Sequence, residues 1–401
     1  MRHLACAMLL AAAVGCGDEA TVTQPADHPS LARAEPEYRV VTITTTLGGV
    51  TSIGNGISNA GWIAGFSNNT GDATRQAALW RDGELTPLGT LGGPNSNAQW
   101  PGVNTQGTVV GIAETAERDS LNEDWSCSAF WPGGLATGFV CRGFVWRNDV
   151  MTALPTFGGT HGFAAGVNSR GQVVGWAETA VHDPTCDAPQ VLQFRAARWD
   201  PSRGTMEELE PYPGDSTSAA TAINERGQVV GISGECDVAV GRFSARHAVL
   251  WDRGEVIDIG NLGGISWHTP MAINQSGVVV GFSNPPGDAQ GEFITEAFRW
   301  SRHDGIESLG KLSEDDDFSQ AFGVNARGQI VGRSCGAAGC LAFLYENGTM
   351  YDLNDLADPG PGRTLTAAQD INDAGRITGR VSDSATGRTL VFVATPRGRE
   401  P

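Results

Sequence analysis

Short apolar stretches separated by polar, glycine-rich turns run through most of this 401-residue chain. The clearest pattern is a nine-residue segment in which a β-branched residue, an asparagine (Ser58 in the first copy), a glycine, two mostly apolar residues and a final glycine keep a fixed order. Asparagine favours the start of a reverse turn, and glycine favours the positive-φ position before the returning strand. Each copy therefore predicts two antiparallel strands joined by a tight turn. Seven copies occur, at residues 57–65, 103–111, 167–175, 223–231, 273–281, 324–332 and 371–379.

A second pattern lies between these copies, where an apolar stretch ends in an aromatic residue and is followed by a polar turn and another apolar stretch. Together the two patterns predict units of four short antiparallel strands, spaced on average about 52 residues apart. Repetition of the aromatic residue at one place predicts packing between strands rather than ligand binding. No segment beyond the N-terminal signal sequence has a convincing helical period. The aromatic residues are Trp80, Trp146, Trp199, Trp251, Trp300 and Tyr345.

The two ends of the repeat region complement each other. Residues 39–45 match the fourth strand of a unit without a third strand before it, and residues 389–394 match a third strand without a fourth after it. Joining the ends completes a seventh unit and leaves no free sheet edge. The sequence thus predicts an all-β protein: a seven-bladed β-propeller of four-stranded antiparallel blades over residues 38–397. Its last blade is closed by the N-terminal strand.

The repeat resembles the probable extracellular repeat family named HAF, after a His-Ala-Phe signature in the third strand. The signature stands here as His247-Ala248-Val249, Ala297-Phe298 and Ala342-Phe343, beside Leu-Gly-Gly loops and the asparagine-containing segments. The resemblance covers residues 39–396, although Leu312-Ser313-Glu314 lacks the paired glycines. It implies a secreted, repeat-built, propeller-like protein of undefined activity, and it supplies no catalytic residues.

The N-terminus has the pattern of a bacterial lipoprotein. In residues 1–15, Arg2 precedes an apolar stretch that resembles a signal peptide and is too short to span a bilayer. Ala13-Val14-Gly15-Cys16 resembles a lipobox, in which the cysteine receives the lipid; the alternative is an ordinary signal peptide with an unrelated cysteine. Residues 16–37 predict a disordered tether. We therefore expect lipidation of Cys16 and an exported protein anchored in the bacterial cell envelope, at the outer membrane or the cell surface.

Composition narrows the classes of partner and cofactor. The net charge of −18 disfavours binding to nucleic acid, which requires a basic surface. Six of the eight cysteines lie between the second and third strands of units, and in an exported protein they predict disulfides. No Cys-x-x-Cys pair or suitably spaced histidine supports a metal site, and no cofactor is predicted. Spacing favours Cys127 with Cys141 and Cys335 with Cys340, and leaves Cys186 and Cys236.

The lengths of the insertions indicate which face of the molecule binds. From the final glycine of the repeat to the next aromatic position, the spacing varies from 13 to 35 residues, whereas the turns at the other ends of the strands are nearly uniform. Binding sites concentrate on variable loops held by a rigid scaffold. The acidic run Glu314-Asp315-Asp316-Asp317 lacks the alternating spacing of a calcium loop and predicts a solvated charged loop. The candidate ligand-binding residues on this loop-rich face are Trp100, Trp131, His161, Trp267, His268, Asp315, Asp316 and Asp317.

Catalytic motifs are missing from the sequence, which has no Gly-x-Ser-x-Gly, phosphate-binding loop or paired-histidine zinc helix. The sequence therefore favours a lipid-anchored, monomeric binding or scaffold module with a glycan or protein ligand on its loop-rich face. The alternative is a polysaccharide hydrolase or lyase at the mouth of the propeller, because propellers host both kinds of function. Paired carboxylates with a histidine in the axial cavity would favour the enzyme. An aromatic surface without them would favour binding.

Overall fold

The structure is a computed structural model that describes residues 35–123, 125–238, 241–287 and 294–398. The signal sequence, Cys16 and almost all of the expected tether lie outside the described residues. From Pro36 onward the described chain forms one compact unit built largely of β-strands.

Strand β1 (Tyr38–Ile43) begins the fold, and four-stranded antiparallel sheets follow in chain order. The first sheet consists of β2 (Gly48–Ile57), β3 (Ile63–Asn69), β4 (Arg75–Arg81) and β5 (Glu84–Pro87). The second sheet consists of β6 (Gly92–Asn97), β7 (Val109–Arg118), β8 (Phe139–Arg147) and β9 (Val150–Ala153). The third sheet consists of β10 (Gly158–Val167), β11 (Val173–His182), β12 (Leu192–Asp200) and β13 (Thr205–Leu209). The fourth sheet consists of β14 (Thr217–Ile223), β15 (Val229–Gly234), β16 (His247–Asp252) and β17 (Glu255–Asp258).

The remaining strands repeat this order. The fifth sheet consists of β18 (Thr269–Ile273), β19 (Val279–Ser283), β20 (Glu296–Ser301) and β21 (Gly305–Gly310). The sixth sheet consists of β22 (Phe318–Val324), β23 (Ile330–Gly336), β24 (Gly339–Glu346) and β25 (Thr349–Asp352). The last three strands are β26 (Arg363–Ile371), β27 (Ile377–Asp383) and β28 (Arg388–Pro396). Short helical segments are α1 (Trp125–Ser128), a 3-10 turn at Pro132–Gly134 and α2 (Leu353–Leu356). The protein is all-β and propeller-like, as predicted.

The last three strands take their fourth strand from the other end of the chain. β1 pairs antiparallel with β28, in a register that runs from Tyr38 opposite Pro396 to Ile43 opposite Val391. One further pair, Thr51 with Thr389, joins β28 to the first sheet. The partner of β1 is therefore the strand that the complementary ends of the sequence predict.

The repeated asparagines make the predicted turns and also join neighbouring sheets. In the fourth sheet, the Asn224 side-chain oxygen accepts hydrogen bonds from the amides of Arg226 and Gln228, which closes the turn. Its Nδ2 donates to the carbonyl oxygen of Asn274, the equivalent residue of the next sheet. The same inter-sheet bond, 3.0–3.3 Å long, runs from Asn104 to Asn168, Asn168 to Asn224, Asn274 to Asn325, Asn325 to Asn372 and Asn372 to Ser58.

The final glycine of each copy permits close approach of the first two strands. A Cβ at Gly65 would lie 1.9 Å from the carbonyl oxygen of Ile53, and one at Gly175 would lie 1.9 Å from that of Phe163. Such distances are far inside van der Waals contact, so the backbone must bear glycine here. The repeated pattern thus reflects the packing of the inner strands.

The repeated tryptophans pack inside the protein, as expected. Trp80, Trp146 and Trp199 each have 3% or less of their surface exposed. The indole nitrogens of Trp80 and Trp199 donate to the carbonyl oxygens of Thr45 and Pro155, in the chain segments that precede the respective sheets. Each ring therefore buries apolar surface without leaving its polar atom unpaired.

Three disulfides lie between the second and third strands of the sheets. Cys127 bonds to Cys141 and Cys335 bonds to Cys340, which confirms both pairings favoured by spacing. The two remaining cysteines, Cys186 and Cys236, bond to each other and so join the insertions of the third and fourth sheets. Disulfides are typical of exported proteins. Within the described ranges, no helix has the length and apolar character that a membrane crossing requires.

Candidate functional site

Two cavities lie along the first strands of the sheets. The first, which we call the aromatic cavity, has a volume of about 310 Å³ and is walled by Trp100, Trp267, Arg333 and Arg380 among others. The second, the turn-side cavity, has a volume of about 190 Å³ and lies among the asparagine turns. Trp100 and Gln369 line the first cavity, and the next residues in the chain, Pro101 and Asp370, line the second.

Trp100 reaches the aromatic cavity because the second sheet departs from the repeat. In the first sheet, the stretch from Gly54, which lies opposite the motif glycine, to the β-branched Ile57 forms the end of the first strand. The corresponding stretch of the second sheet, Ala98–Val103, is two residues longer. The extra length forms a bulge after β6, and Trp100 adopts a φ of 60° within it. Its indole then packs 4.9 Å from the ring of Phe163, centroid to centroid.

Trp267 lies in the loop before β18, on the loop-rich side, and also has a positive φ, of 65°. Bulky residues rarely adopt this left-handed conformation, and backbone strain of this kind concentrates at functional sites. Among the described residues, the other non-glycine residues with positive φ are asparagine, aspartate or arginine. The two tryptophans that share this strained conformation line the same cavity.

Two arginines form the charged part of the cavity wall. Arg333 of β23 and Arg380 of β27 follow the motif glycine in neighbouring sheets. The Nε and Nη2 atoms of Arg333 donate to the Gln320 side-chain oxygen, at 3.0 and 2.7 Å. Burial, with the nearby charge of Arg380, lowers the pKa of Arg333 to about 10, and burial also lowers the pKa of Arg380. The other five sheets have an apolar residue at this position: Phe66, Ile112, Trp176, Ile232 and Phe282.

In the part of the chain that the structure describes, neither arginine has an acidic partner, because no carboxylate oxygen lies within 4.0 Å of either guanidinium. The Nε of Arg380 is buried without a hydrogen-bond partner. The described lining of the aromatic cavity also includes the amides of Gln99, Gln320 and Gln369, and it includes no carboxylate and no histidine. The cavity can therefore bind an anion or a hydroxylated ligand, and it offers no acid–base pair.

The other aromatic candidate, Trp131, is not in this cavity. Only 3% of its surface is exposed, and it belongs to a buried apolar cluster with Phe163 and Trp176. Trp100 and Phe130 pack against that cluster. The structure thus places Trp131 in the packing beneath the insertion, whereas Trp100 and Trp267 meet at the cavity.

His161 lies in a buried polar cluster beside the Cys127–Cys141 disulfide. Its Nδ1 accepts the backbone hydrogen of Cys141 at 3.1 Å, and its Nε2 is 3.3 Å from a carboxylate oxygen of Asp119. Asp119, Glu123 and His161 are near enough to one another to hold a metal ion. However, an imidazole that accepts at Nδ1 carries its proton on Nε2, so that atom has no lone pair for a metal.

The remaining candidates lie outside both cavities. His268 is buried, its Nδ1 is 2.8 Å from the Ser283 hydroxyl, and burial lowers its pKa to about 4. Asp315 and Asp317 are exposed on the loop before β22, and Asp316 accepts a 2.6 Å hydrogen bond from the Ser334 hydroxyl. This loop is held by its own hydrogen bonds and contributes nothing to the walls of the aromatic cavity.

Asp370 was missed from the sequence, although the repeat contains a signal for it. The residue before the β-branched position is glycine or alanine in the six other copies, and aspartate only here. The Asp370 carboxylate accepts hydrogen bonds from the amides of Ile57 and Ile371, both at 2.8 Å, and lines the turn-side cavity. Burial raises the pKa of Asp370 to about 7, against the effect of these two hydrogen bonds. The two cavity arginines carry the same kind of signal, a charge at a repeat position that is otherwise apolar.

Comparison with known proteins gives a likeness of fold only. No family model and no curated protein matches the chain. An acylaminoacyl peptidase from Pyrococcus horikoshii is 10% identical with a TM-score of 0.46, and the match covers 90% of this chain and 52% of that one. An oligogalacturonate lyase from Vibrio parahaemolyticus is 9% identical with a TM-score of 0.46, covering 90% of this chain and 91% of that one. Dipeptidyl peptidase 4 from Porphyromonas gingivalis is 10% identical with a TM-score of 0.39, covering 85% and 51%. The chain spans about half the length of either peptidase.

Proposed function

We propose that this chain is a closed, seven-bladed propeller of HAF-type repeats that acts as a binding module, with the aromatic cavity as its ligand site. The module is exported and held to the cell envelope through a lipid on Cys16. The first two strands of neighbouring sheets position most of the cavity wall, and Trp267 joins it from the loop before β18. A glycan is the ligand class that suits this wall of indoles and amides.

The composition of the cavity wall carries this proposal. Two non-repeating tryptophans, two arginines and three glutamines meet there, and the described lining has no carboxylate or histidine that could move a proton. Carboxylates line the separate turn-side cavity instead, at Glu225, Asp370 and Asp373, where neither cavity tryptophan is part of the described lining. Hydrolysis and lyase chemistry need an acid or base positioned against the ligand, and the described lining of the aromatic cavity supplies neither. Binding is therefore the function that the aromatic cavity favours.

Substitution of the cavity tryptophans tests the proposal. We expect Trp100→Ala and Trp267→Ala each to weaken binding of a glycan or peptidoglycan fragment by about tenfold or more, because aromatic anchors dominate binding energy. Binding is measured by calorimetry with the purified mature protein, on ligands first selected by pull-down from glycan and peptidoglycan fragments.

Two buried tryptophans serve as controls. Trp80→Ala and Trp199→Ala remove packing away from the cavity and should lower the melting temperature by more than the cavity variants do, because each leaves a large void. A selected ligand whose affinity is unchanged in the Trp100→Ala/Trp267→Ala double variant would place the site elsewhere and refute the assignment.

A further inference from the structure

We propose that the aromatic cavity selects acidic oligosaccharides, and that Arg333 and Arg380 bind a carboxylate or sulfate group of the sugar. This inference rests on the proposed function, since it names the ligand class of the same site. It follows from the charge of the cavity wall rather than from its shape.

The two cavity arginines have no counter-charge among the described residues. A buried charge without a counter-charge is costly, and proteins normally pair or hydrogen-bond such groups. Here two like charges face one space, and the described chain supplies neither with a carboxylate within 4.0 Å. Arg333 donates hydrogen bonds from two of its N–H groups to Gln320. The buried Nε of Arg380 has no hydrogen-bond partner among the described residues. An anion from outside the chain would satisfy both groups.

Arg333 and Arg380 both occupy a position of the repeat that is apolar in the other sheets. An apolar side chain at the same place fills the wall in five sheets, so the fold itself does not require a charge there. The two arginines lie in neighbouring sheets, in β23 and β27, and both line the cavity. The Arg333 guanidinium also lies 5.5 and 5.7 Å from the ring centroids of Phe318 and Phe322, which orient it. Paired guanidinium groups match the planar geometry of a carboxylate and the oxygens of a sulfate.

The rest of the wall distinguishes a sugar from other anions. Flat indole rings at Trp100 and Trp267 offer apolar faces to the C–H groups of a sugar ring. The amides of Gln99 and Gln369 offer donors and acceptors that match hydroxyl groups. A volume of about 310 Å³ lies at the low end of the range for small-molecule sites and suits the end of an oligosaccharide. The net charge of −18 means that any preference for an anion must come from this local pair.

Matched oligosaccharides test the inference by calorimetry with the mature protein. The probes are trimers of glucose, galactose and mannose, their uronic acid counterparts and their sulfated counterparts. We expect at least one acidic trimer to bind about tenfold or more tightly than its neutral counterpart, because hydrogen bonds to charged groups are the strong ones. Raising the salt concentration from about 50 to 500 mM should weaken binding of the acidic trimer and leave any neutral binding unchanged. The salt series uses the wild-type protein and so needs no variant.

Variants assign the preference to the arginines. Arg333→Gln and Arg380→Gln should each reduce the acidic preference, and the double variant should abolish it. Arg376→Gln is the matched control, since Arg376 lies near the start of the last repeat's second strand, outside the aromatic cavity, and its loss changes the net charge equally. Melting temperatures verify that each variant is folded, and Arg333→Met, which removes the charge and keeps an unbranched side chain, replaces Arg333→Gln where folding is impaired.

Each other outcome has a definite meaning. Equal affinity for neutral and acidic trimers, or an acidic preference that survives in the double variant, would refute the inference and leave the proposed function intact if Trp100→Ala still weakens binding. Binding of a tri-glutamate peptide in place of every saccharide would refute the saccharide assignment. The proposed function itself fails if binding of all probes is insensitive to both tryptophan substitutions.

Discussion

Asp370 is the residue whose chemistry differs most from its equivalents in the repeat. It stands at a β-bulge in the last repeat's first strand, where the partner register shifts between Ala368 and Asp370. Its carboxylate bonds to the amide of Ile57 in the first sheet, so it contributes to the contact between the two ends of the repeat region. Because burial opposes its ionisation, the residue holds a proton in the folded protein at pH values where the unfolded chain releases it.

This raised pKa predicts a pH-dependent loss of stability. The folded pKa of about 7 exceeds the ordinary value of 3.8, so the free energy of unfolding should fall as pH rises from about 4 to about 7 and then level off. Asp370→Asn removes this term. Measured by urea unfolding, the variant should gain on the order of 1 to 2 kcal/mol relative to the wild type between pH 5 and pH 8, after allowance for partial exposure.

Asp315→Asn, at an exposed aspartate, is the control and should follow the wild-type curve across the same pH range. If the difference between the wild type and Asp370→Asn is the same at pH 5 and pH 8, the buried proton is not present.

The asparagine turns are the elements that hold neighbouring sheets together. Each of the six asparagines closes its own turn through the side-chain oxygen and donates through Nδ2 to the next turn. The first copy has Ser58 instead, whose hydroxyl accepts from the Trp62 amide. Among the described residues, no hydrogen bond of this type links Ser58 to Asn104. One interface in the series therefore lacks the bond that the others share.

Ser58→Asn is expected to supply that bond and to stabilise the protein by about 1 kcal/mol, the net value of a typical buried hydrogen bond. The reverse change, Asn104→Ser, should cost a similar amount or more because it leaves the Asn168 carbonyl without its side-chain donor. Urea unfolding measures both. A neutral or destabilising Ser58→Asn beside a destabilising Asn104→Ser would mean that this interface has a different geometry.

At the level of elements, the sequence predicts most of what the structure contains, and the exceptions have physical causes. Strand pairs, turns and the packing of Trp80 follow from the pattern of apolar, asparagine, glycine and aromatic residues, which recurs in each repeat. The inter-sheet role of the asparagines could not be read from one copy, because it depends on how neighbouring sheets meet. Trp131 and His161 are non-repeating like Trp100, yet both are buried, Trp131 within the insertion after β7 and His161 against Asp119 at the start of that insertion. The cavity arginines were missed because they stand inside the regular motif rather than in a loop.

At the scale of the whole molecule, the order of the strands makes one sheet depend on both ends of the chain. β1 covers the edge of β28, whose Val391 and Ala394 have no exposed surface. The side chains of Tyr38 and Ile43 are themselves buried, and the carbonyl oxygen of Glu37 accepts a hydrogen bond from the Arg397 amide. Removing β1 would therefore expose apolar surface and an unpaired strand edge together, which promotes association between chains.

Deleting residues 38–45 should lower the free energy of unfolding by at least about 3 kcal/mol, since burial of a large apolar side chain contributes about 1.5 to 3 kcal/mol. Deleting residues 17–35, which precede the compact unit that begins at Pro36, is the matched control and should leave the melting temperature unchanged. Thermal unfolding and sedimentation measure stability and self-association of the two truncated proteins.

A synthetic peptide of residues 36–46, added to the protein that lacks residues 38–45, should restore its melting temperature and disperse its aggregates, because the peptide can pair with the vacant edge of β28. Equal melting temperatures for the two truncations, or a peptide without effect, would show that the N-terminal strand does not close the last sheet.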